Sequence, residues 1–161
     1  MNNHIIVSNV SDASFALGVG YAHSQKIDIS DIIALKTFIN NEFCPRFLQD
    51  HVTEETLGHG LKGKSVYIVS THSAHHSRDE LAMRNYLIAS AAKENGAEFV
   101  ALVEPDLFYS AQDRGPRTQD HPQVTDFASR EKFVGQPCSS EMYAQLLKTS
   151  GVDCVMTVHN H

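Results

Sequence analysis

The sequence predicts an α/β fold in which a mostly parallel sheet is flanked by helices on both faces. Three short apolar runs contain the β-branched and aromatic residues that are typical of buried strands. Residues 65–70 form the clearest of these strands, followed by residues 99–103 and 154–158. Helix-like segments separate the three runs. Since such strands are joined by right-handed crossovers, we expect them to lie parallel in one sheet.

Two helices are predicted between these strands. Ser77 and Glu80 form a capping-box pattern, in which each side chain accepts a hydrogen bond from the backbone of the other. The helix that starts there is expected to end near Gly96, because glycine is favoured just after a helix. The second helix is predicted to start at Ser139 and to end at Gly151.

The first third of the chain predicts smaller elements. Residues 4–7 form a short strand, and residues 11–20 form a helix that a serine can cap. Residues 32–35 are a compact apolar run suited to a strand, and residues 43–48 could pair beside it. Pro45 favours an edge position for the second of these strands, since proline cannot donate to a β-ladder.

Composition excludes several classes of protein. The chain has 161 residues, of which 42% are apolar and 20% charged, as expected for one globular domain. The net charge of −6 argues against broad nucleic-acid binding, and no apolar run is long enough to cross a membrane. The N-terminus lacks the pattern of a secretory signal. The cysteines at 44, 138 and 154 show no C-x-x-C spacing, so we expect free thiols and a cytoplasmic location.

The segment 108–114 is the most informative part of the sequence. An aromatic pair follows the predicted strand 99–103, and Gln112, Asp113 and Arg114 come directly afterwards. Loops after parallel strands lie at the carboxyl edge of the sheet, where α/β proteins hold ligands. An arginine there offers a fixed fork of donors to a phosphate group. The alternative is a polar surface turn closed by an Asp–Arg pair, which the segment taken alone favours.

Two groups of histidines are possible metal ligands. His72, His75 and His76 follow a strand, but no carboxylate or cysteine with suitable spacing lies nearby. His159 and His161 are two residues apart on a predicted strand and would project to the same face. They leave a metal-binding α/β module as a third possibility. For both groups, ordinary surface histidines are the favoured interpretation from the residues alone.

Residues 61–161 resemble the N-terminal half of the ribose-phosphate pyrophosphokinases, also called phosphoribosyl pyrophosphate synthetases. The hallmark of this family is a strand followed by tyrosine, a small residue, arginine, glutamine, aspartate and arginine, and residues 109–114 read Tyr-Ser-Ala-Gln-Asp-Arg. The family's strand that starts with lysine and ends in serine-threonine resembles residues 64–71. Its proline-initiated helix and its closing Asp-x-His resemble residues 137–147 and 159–161.

The resemblance implies a phosphoribosyltransferase-like fold and a Mg²⁺-dependent reaction. The family transfers the β,γ-diphosphoryl group of ATP to ribose 5-phosphate. Matched by position, Gln112, Asp113 and Arg114 would contact ATP, and His161 would lie near the magnesium-bound phosphates.

A second motif implies an adenine site. The family's Phe-x-Asp-x-Glu hairpin reaches the adenine of a neighbouring subunit, and residues 38–42 resemble it. Three side chains would therefore lie at the adenine, namely Phe38, Asn40 and Glu42. Because the family assembles through this domain, the resemblance also implies a homo-oligomer.

The chain departs from the family pattern at four places. Ala111 stands where the family has an arginine, so one phosphate-binding guanidinium is missing. Asn40 and His159 each stand where an aspartate is expected. Residues 115–136 are much longer than the usual connection and rich in polar residues and proline, which predicts a flexible insertion.

The family's phosphoribosyl-binding loop, an acidic pair before a threonine- and glycine-rich helix start, has no match here. The chain stops at His161, at a strand end where an active-site loop is expected to begin. We therefore expect residues 1–161 to be the single N-terminal domain of a longer enzyme and to be inactive alone. The alternative is a non-catalytic regulatory or assembly protein that associates with the synthetase, with which Ala111 and Asn40 agree.

Overall fold

The computed structural model of the protein describes residues 3–11, 31–49, 52–115 and 127–161. The described elements in chain order are β1 (His4–Ser8), β2 (Ile33–Thr37), β3 (Phe43–Phe47), β4 (Ser65–Val69), α1 (Arg78–Glu94), β5 (Phe99–Val103), α2 (Phe127–Glu131), α3 (Ser139–Thr149) and β6 (Cys154–Met156).

The core of the fold is a parallel sheet in the order β1-β4-β5-β6, which confirms the predicted α/β class. Pairing places Val7 beside Ile68 and Ile68 beside Leu102, and all three side chains are fully buried. Side chains at alternate positions, such as Ile6 and Ala101, are buried as well. Both faces of the sheet are therefore covered, as the apolar strands predict.

Helix α1 begins at the predicted capping box. The Ser77 hydroxyl accepts a hydrogen bond from the Glu80 amide at 3.2 Å, and the Glu80 carboxylate accepts one from the Ser77 amide at 2.8 Å. Leu81 and Ile88 are fully buried against the sheet, and each contributes about 1.5–3 kcal/mol through burial. Gly96 follows the helix with φ of +89°, a conformation that glycine adopts without strain.

Strands β2 and β3 form a separate antiparallel hairpin. Pro45 pairs opposite Leu35 in this two-stranded sheet, so the predicted edge position is confirmed. The hairpin packs on α1, and Phe47 of β3 belongs to the buried core. The predicted helix over residues 11–20 lies, from residue 12 onward, outside the described residues.

Strand β6 is shorter than predicted, because it ends at Met156. Beyond that residue the chain bonds to the segment after β5, where the amides of Val158 and His159 both donate to the carbonyl of Pro105 at 3.2 and 2.8 Å. Helix α3, which precedes β6, begins at Ser139 as predicted and ends at Thr149, two residues before Gly151. The described part of the insertion over 115–136 contains α2, and the flexibility of the insertion stays a prediction.

Substitution Asp153→Asn should reduce stability at neutral pH, because Asp153 joins α1 to β5. Its carboxylate accepts from Lys93 Nζ at 2.7 Å and from the Val100 amide at 2.8 Å. We expect the free energy of unfolding to fall by about 1 kcal/mol. The decrease is modest because the Lys93–Asp153 ion pair is partly exposed and screened by solvent.

The pH dependence of this loss is also defined. The bond from Lys93 is the main cause that holds the pKa of Asp153 below its ordinary value of 3.8. The carboxylate therefore stabilises the fold above that pH, and its contribution disappears as the pH falls through the lowered pKa. Urea unfolding at pH 7 and pH 3 should show the difference between Asp153→Asn and the original protein shrinking with acidification. An equal difference at both pH values would contradict this role.

Candidate functional site

The loop after β5 and the end of the chain after β6 form a cleft of about 560 Å³. Gln112, Asp113 and Arg114 line it from the loop, and His161 lines it from the far end of the sequence. Phe133 adds an aromatic ring from the segment that follows α2. Four of the predicted site residues therefore share one cleft at the carboxyl edge of the sheet, where parallel α/β sheets hold ligands.

Gln112 is fixed to the start of α3. Its side-chain oxygen accepts from the Ser139 hydroxyl at 2.9 Å, and its carbonyl accepts from the Ser140 amide at 3.1 Å. The backbone amide of Gln112 donates to the carbonyl of Tyr109 at 2.9 Å, which closes the turn. These three bonds hold the base of the cleft in place.

The two charged residues of the loop are only loosely paired. Arg114 Nε lies 4.0 Å from Asp113 Oδ1, longer than a hydrogen bond, and both side chains are more than a third exposed. Such a pair contributes little to stability. The guanidinium and the carboxylate are therefore both accessible to a ligand in the cleft. Ala111 also lines the cleft, where it presents only a methyl group.

Tyr109 holds the loop in an unusual conformation. Its φ of +61° lies in the left-handed region, which a bulky side chain rarely adopts and which costs about 1–3 kcal/mol. Two contacts offset this cost. The hydroxyl donates to Asp79 at the start of α1, and the ring packs against Tyr143 at 5.6 Å between centroids. The bond to Asp79 raises the pKa of the Tyr109 hydroxyl, which therefore stays protonated as a donor.

A buried polar network lies beneath the loop, and none of the sequence motifs predicts it. Its members come from the ends of three neighbouring strands and from two helices, and all are almost fully buried. They are Asn9 after β1, Ser70 after β4, Glu104 after β5, Asn85 on α1 and Tyr143 on α3. A signal was present in the sequence, because Asn9, Ser70 and Glu104 place polar residues directly after adjacent parallel strands.

Glu104 is the centre of this network. Its Oε1 accepts from Ser70 Oγ at 2.8 Å and from Asn85 Nδ2 at 3.1 Å, and its Oε2 accepts from the Phe108 amide and the Tyr143 hydroxyl, both at 3.0 Å. Burial raises the pKa of Glu104, while these donated hydrogen bonds oppose the shift. Through Phe108 the carboxylate fixes the root of the loop that carries the cleft residues.

The hairpin predicted to contact adenine is formed, but it lies outside the cleft that contains Arg114. The Phe38 amide donates to the Glu42 carbonyl at 2.8 Å, and the Asn40 side chain accepts from the Glu42 amide at 3.3 Å. Phe38 is 43% exposed, with Lys36 Nζ 4.6 Å from its ring centre. None of these hairpin residues, all within the described part of the chain, lines the cleft that holds Arg114.

The two histidines at the end of the chain, His159 and His161, also differ in their positions relative to the cleft. His161 lines the cleft, whereas His159 braces the loop through its backbone, since its carbonyl accepts from the Leu107 amide at 3.3 Å. The described residues contain no group of three or more histidine, cysteine, aspartate or glutamate side chains arranged to hold a metal ion. Among these residues, no helix has the length and apolarity needed to cross a membrane.

Comparisons with known proteins place the chain among relatives of one kind. Ribose-phosphate pyrophosphokinase 2 of Saccharomyces cerevisiae is 24% identical over 109 residues, which cover 68% of this chain and 29% of that protein. Ribose-phosphate pyrophosphokinase 4 of the same organism is 25% identical over 109 residues, which cover 68% and 28%. The chain thus spans less than a third of the length of these relatives. No protein-family model matches it.

A solved structure shows the same fold. The crystal structure of phosphoribosylpyrophosphate synthetase from Mycobacterium smegmatis superimposes with a TM-score of 0.69 at 19% identity, covering 97% of this chain and 42% of that one. The described part of the protein is therefore an α/β domain that shares its fold with this synthetase. It is a divergent domain related to the ribose-phosphate pyrophosphokinases, which confirms the resemblance found in the sequence.

Proposed function

We propose that this chain is the ATP-contacting N-terminal domain of a ribose-phosphate pyrophosphokinase, whose complete form transfers diphosphate from ATP to ribose 5-phosphate. In this proposal Gln112, Asp113 and Arg114 contact the nucleotide, and His161 lies near its magnesium-bound phosphates. The observation that carries the proposal is that the three consecutive loop residues and His161, which is distant from them in the sequence, line one cleft.

The chemistry of the cleft suits this role. Phosphoryl transfer depends mainly on positioning and on neutralising the charge of the phosphate oxygens. Arg114 supplies an accessible guanidinium, and Gln112 is held rigidly by the start of α3. The imidazole of His161 can donate to a phosphate oxygen. The isolated domain is not expected to catalyse the reaction, because the phosphoribosyl-binding loop of the family has no match in it.

The cleft fits a magnesium ion that arrives bound to the nucleotide. Mg²⁺ prefers oxygen ligands and is held by one or two carboxylates together with substrate phosphates. Asp113 provides such a carboxylate, and its weak contact with Arg114 leaves it accessible. His161 would interact with the phosphates rather than hold the ion directly, since imidazole is a poor ligand for Mg²⁺. When bound, the ion would neutralise charge on the phosphate oxygens.

The adenine site is proposed to use the hairpin of a second copy of the chain. Phe38, Asn40 and Glu42 do not reach the cleft of their own chain, as expected if the site is completed by a neighbouring subunit. Phe38 offers an exposed aromatic face for stacking. This part of the proposal requires the chain to form a homo-oligomer. We also propose that this oligomer is located in the cytoplasm.

A second candidate function is a non-catalytic partner of the synthetase, favoured by the methyl group of Ala111 in the cleft. A regulator does not need every phosphate contact. Turnover assays on the complete gene product with ATP, Mg²⁺ and ribose 5-phosphate separate the two functions. Formation of phosphoribosyl pyrophosphate supports the enzyme, and a folded protein without turnover supports the regulator.

Substitution Arg114→Met tests the nucleotide site. We expect the affinity for ATP with Mg²⁺, measured by isothermal titration calorimetry, to fall about tenfold or more, because a charge-assisted hydrogen bond is lost. Arg130→Met is the matched control, since Arg130 is exposed on α2 and does not line the cleft. Equal affinities for the two variants, or no saturable ATP binding by the original protein, would rule out the proposed site.

A further inference from the structure

One aromatic side chain in the cleft that contains Arg114 has no part in the function proposed above. Phe133 lines this cleft from the segment after α2, within the insertion over residues 115–136. The chain carries this insertion at the place where the family that it resembles has a shorter connection. A residue of the insertion therefore forms part of the cleft wall, although no family motif predicts it there.

Packing within the domain does not account for the ring of Phe133. The residue is half-buried, and it belongs neither to the hydrophobic core nor to the partly buried side chains packed against that core. Within the ranges that the structure describes, its ring contacts no other aromatic ring and no cation. The other phenylalanine of the insertion, Phe127, is 73% exposed and lies outside the cleft. Phe133 is therefore the phenylalanine of the insertion that a ligand in the cleft would meet.

The backbone around Phe133 is held in a defined turn. The Phe133 amide donates to the Arg130 carbonyl at 3.0 Å, and the Phe133 carbonyl accepts from the Gln136 amide at 3.1 Å. At the other end of the insertion, Gly115 packs closely on the start of α3, since a Cβ atom at this position would lie 3.1 Å from the Cβ of Cys138. Both ends of the insertion therefore lie beside the cleft, and the turn sets the position of the ring before any ligand binds.

The cleft combines two kinds of side chain. Arg114 and His161 offer donors that suit phosphate oxygens, whereas Ala111, Phe133 and Pro137 offer apolar surface. A phosphate group alone makes favourable contacts only with the first set. A flat aromatic group that is joined to phosphates suits both sets, because every nucleobase can stack on an aromatic side chain. The composition of the cleft wall therefore favours a whole nucleotide over a free phosphate.

We infer that Phe133 stacks on the base of the nucleotide whose phosphates contact Arg114. The inference rests on the function proposed above and adds to it a base contact that comes from the same chain as the phosphate contacts. The hairpin of a second copy would then reach a base that is already held. Base binding would therefore begin in a single chain, before a second copy contributes Phe38.

The test compares ATP with tripolyphosphate, which has the same chain of phosphates but no base. Both are titrated with Mg²⁺ by isothermal titration calorimetry at constant ionic strength. We expect Phe133→Ala to weaken the binding of ATP about fivefold or more and to leave the binding of tripolyphosphate unchanged. Phe127→Ala is the matched control and should change neither affinity, since Phe127 is exposed on α2 outside the cleft. Because Phe133 lies outside the core, neither substitution should lower the unfolding temperature.

A second variant reports on stacking directly. The chain contains no tryptophan, so Phe133→Trp introduces a single indole fluorophore in the cleft. Stacking should quench its fluorescence saturably as ATP is added, at the affinity that calorimetry measures, whereas tripolyphosphate should leave the fluorescence unchanged. Phe127→Trp corrects for the light that ATP absorbs and should show no saturable quenching. The Phe133→Trp variant should bind ATP at least as tightly as the original protein, because an indole also offers an aromatic face.

The variants separate failure of the base contact from failure of the proposed function. An ATP affinity that Phe133→Ala leaves unchanged, or equal losses for ATP and tripolyphosphate, would overturn the inference. Arg114→Met should weaken both ligands, since it acts on the phosphates. If Arg114→Met weakens both and Phe133→Ala weakens neither, only the base contact is wrong. If Phe133→Ala weakens ATP and Arg114→Met has no effect, the base contact is supported and the phosphate contact is wrong. No saturable binding of ATP would overturn both.

Discussion

Replacement of Glu104 by leucine should lower the free energy of unfolding by at least about 3 kcal/mol, since each buried donor left without a partner costs about 1–3 kcal/mol. The carboxylate accepts hydrogen bonds from Ser70, Asn85, Tyr143 and the Phe108 amide, and leucine accepts none. The apolar side chain gains little in return, because the carboxylate that it replaces is already fully buried. Urea unfolding followed by circular dichroism measures the loss.

Two further variants are needed to interpret this experiment. Glu98→Leu is the matched control, because Glu98 is exposed and the change should stay within about 0.5 kcal/mol. Glu104→Gln keeps the shape, but its amide nitrogen meets a donor such as the Phe108 amide or Asn85, so we expect an intermediate loss. If Glu104→Leu unfolds at the same urea concentration as Glu98→Leu, the network does not stabilise the fold as described.

Introducing an arginine at position 111 should raise the affinity for ATP with Mg²⁺ about tenfold to a hundredfold, the range expected for one new charge-assisted hydrogen bond. Ala111 is exposed in the cleft beside Gln112, so a longer side chain has room there. The family motif that residues 109–114 resemble has an arginine at this place. The result therefore depends on the proposed nucleotide site, and calorimetry of Ala111→Arg measures it.

A control must separate a local contact from added charge. Ala128 is exposed on α2 and outside the cleft, so Ala128→Arg adds the same charge elsewhere. We expect little change in ATP affinity for this variant, because exposed charges are screened by salt. Equal gains from both substitutions would indicate general electrostatic attraction. No gain from either would show that position 111 does not face the nucleotide.

The elements of the sheet were predictable because their signals are local. The apolar run around Ile68 reads as a buried strand, and the pair Ser77 and Glu80 marks the start of α1. The shared position of Gln112 and His161 was also expected, since both follow parallel strands. For these features, the local sequence pattern and the rules of parallel-sheet topology predict the same arrangement that the structure has.

The missed features depend on contacts between distant residues. No local pattern shows that Asn85 and Tyr143, each on its own helix, will meet the Glu104 carboxylate. The same holds for Arg84, which reads as an ordinary helix residue although its guanidinium is buried beneath the hairpin. The early end of β6 results from bonds to Pro105, which is far away in the sequence.

The bond between Glu104 and the Phe108 amide has a consequence for motion on long timescales. Phe108 lies in a loop, yet its amide is buried and bonded to a group that the whole network holds. Its hydrogen should therefore exchange with solvent only when the domain unfolds globally, like the amides of central strands. The side chains of Gln112 and Arg114 are exposed only a few residues further along. A ligand would thus meet a stationary backbone and adjust only side-chain rotamers, without ordering a loop as it binds.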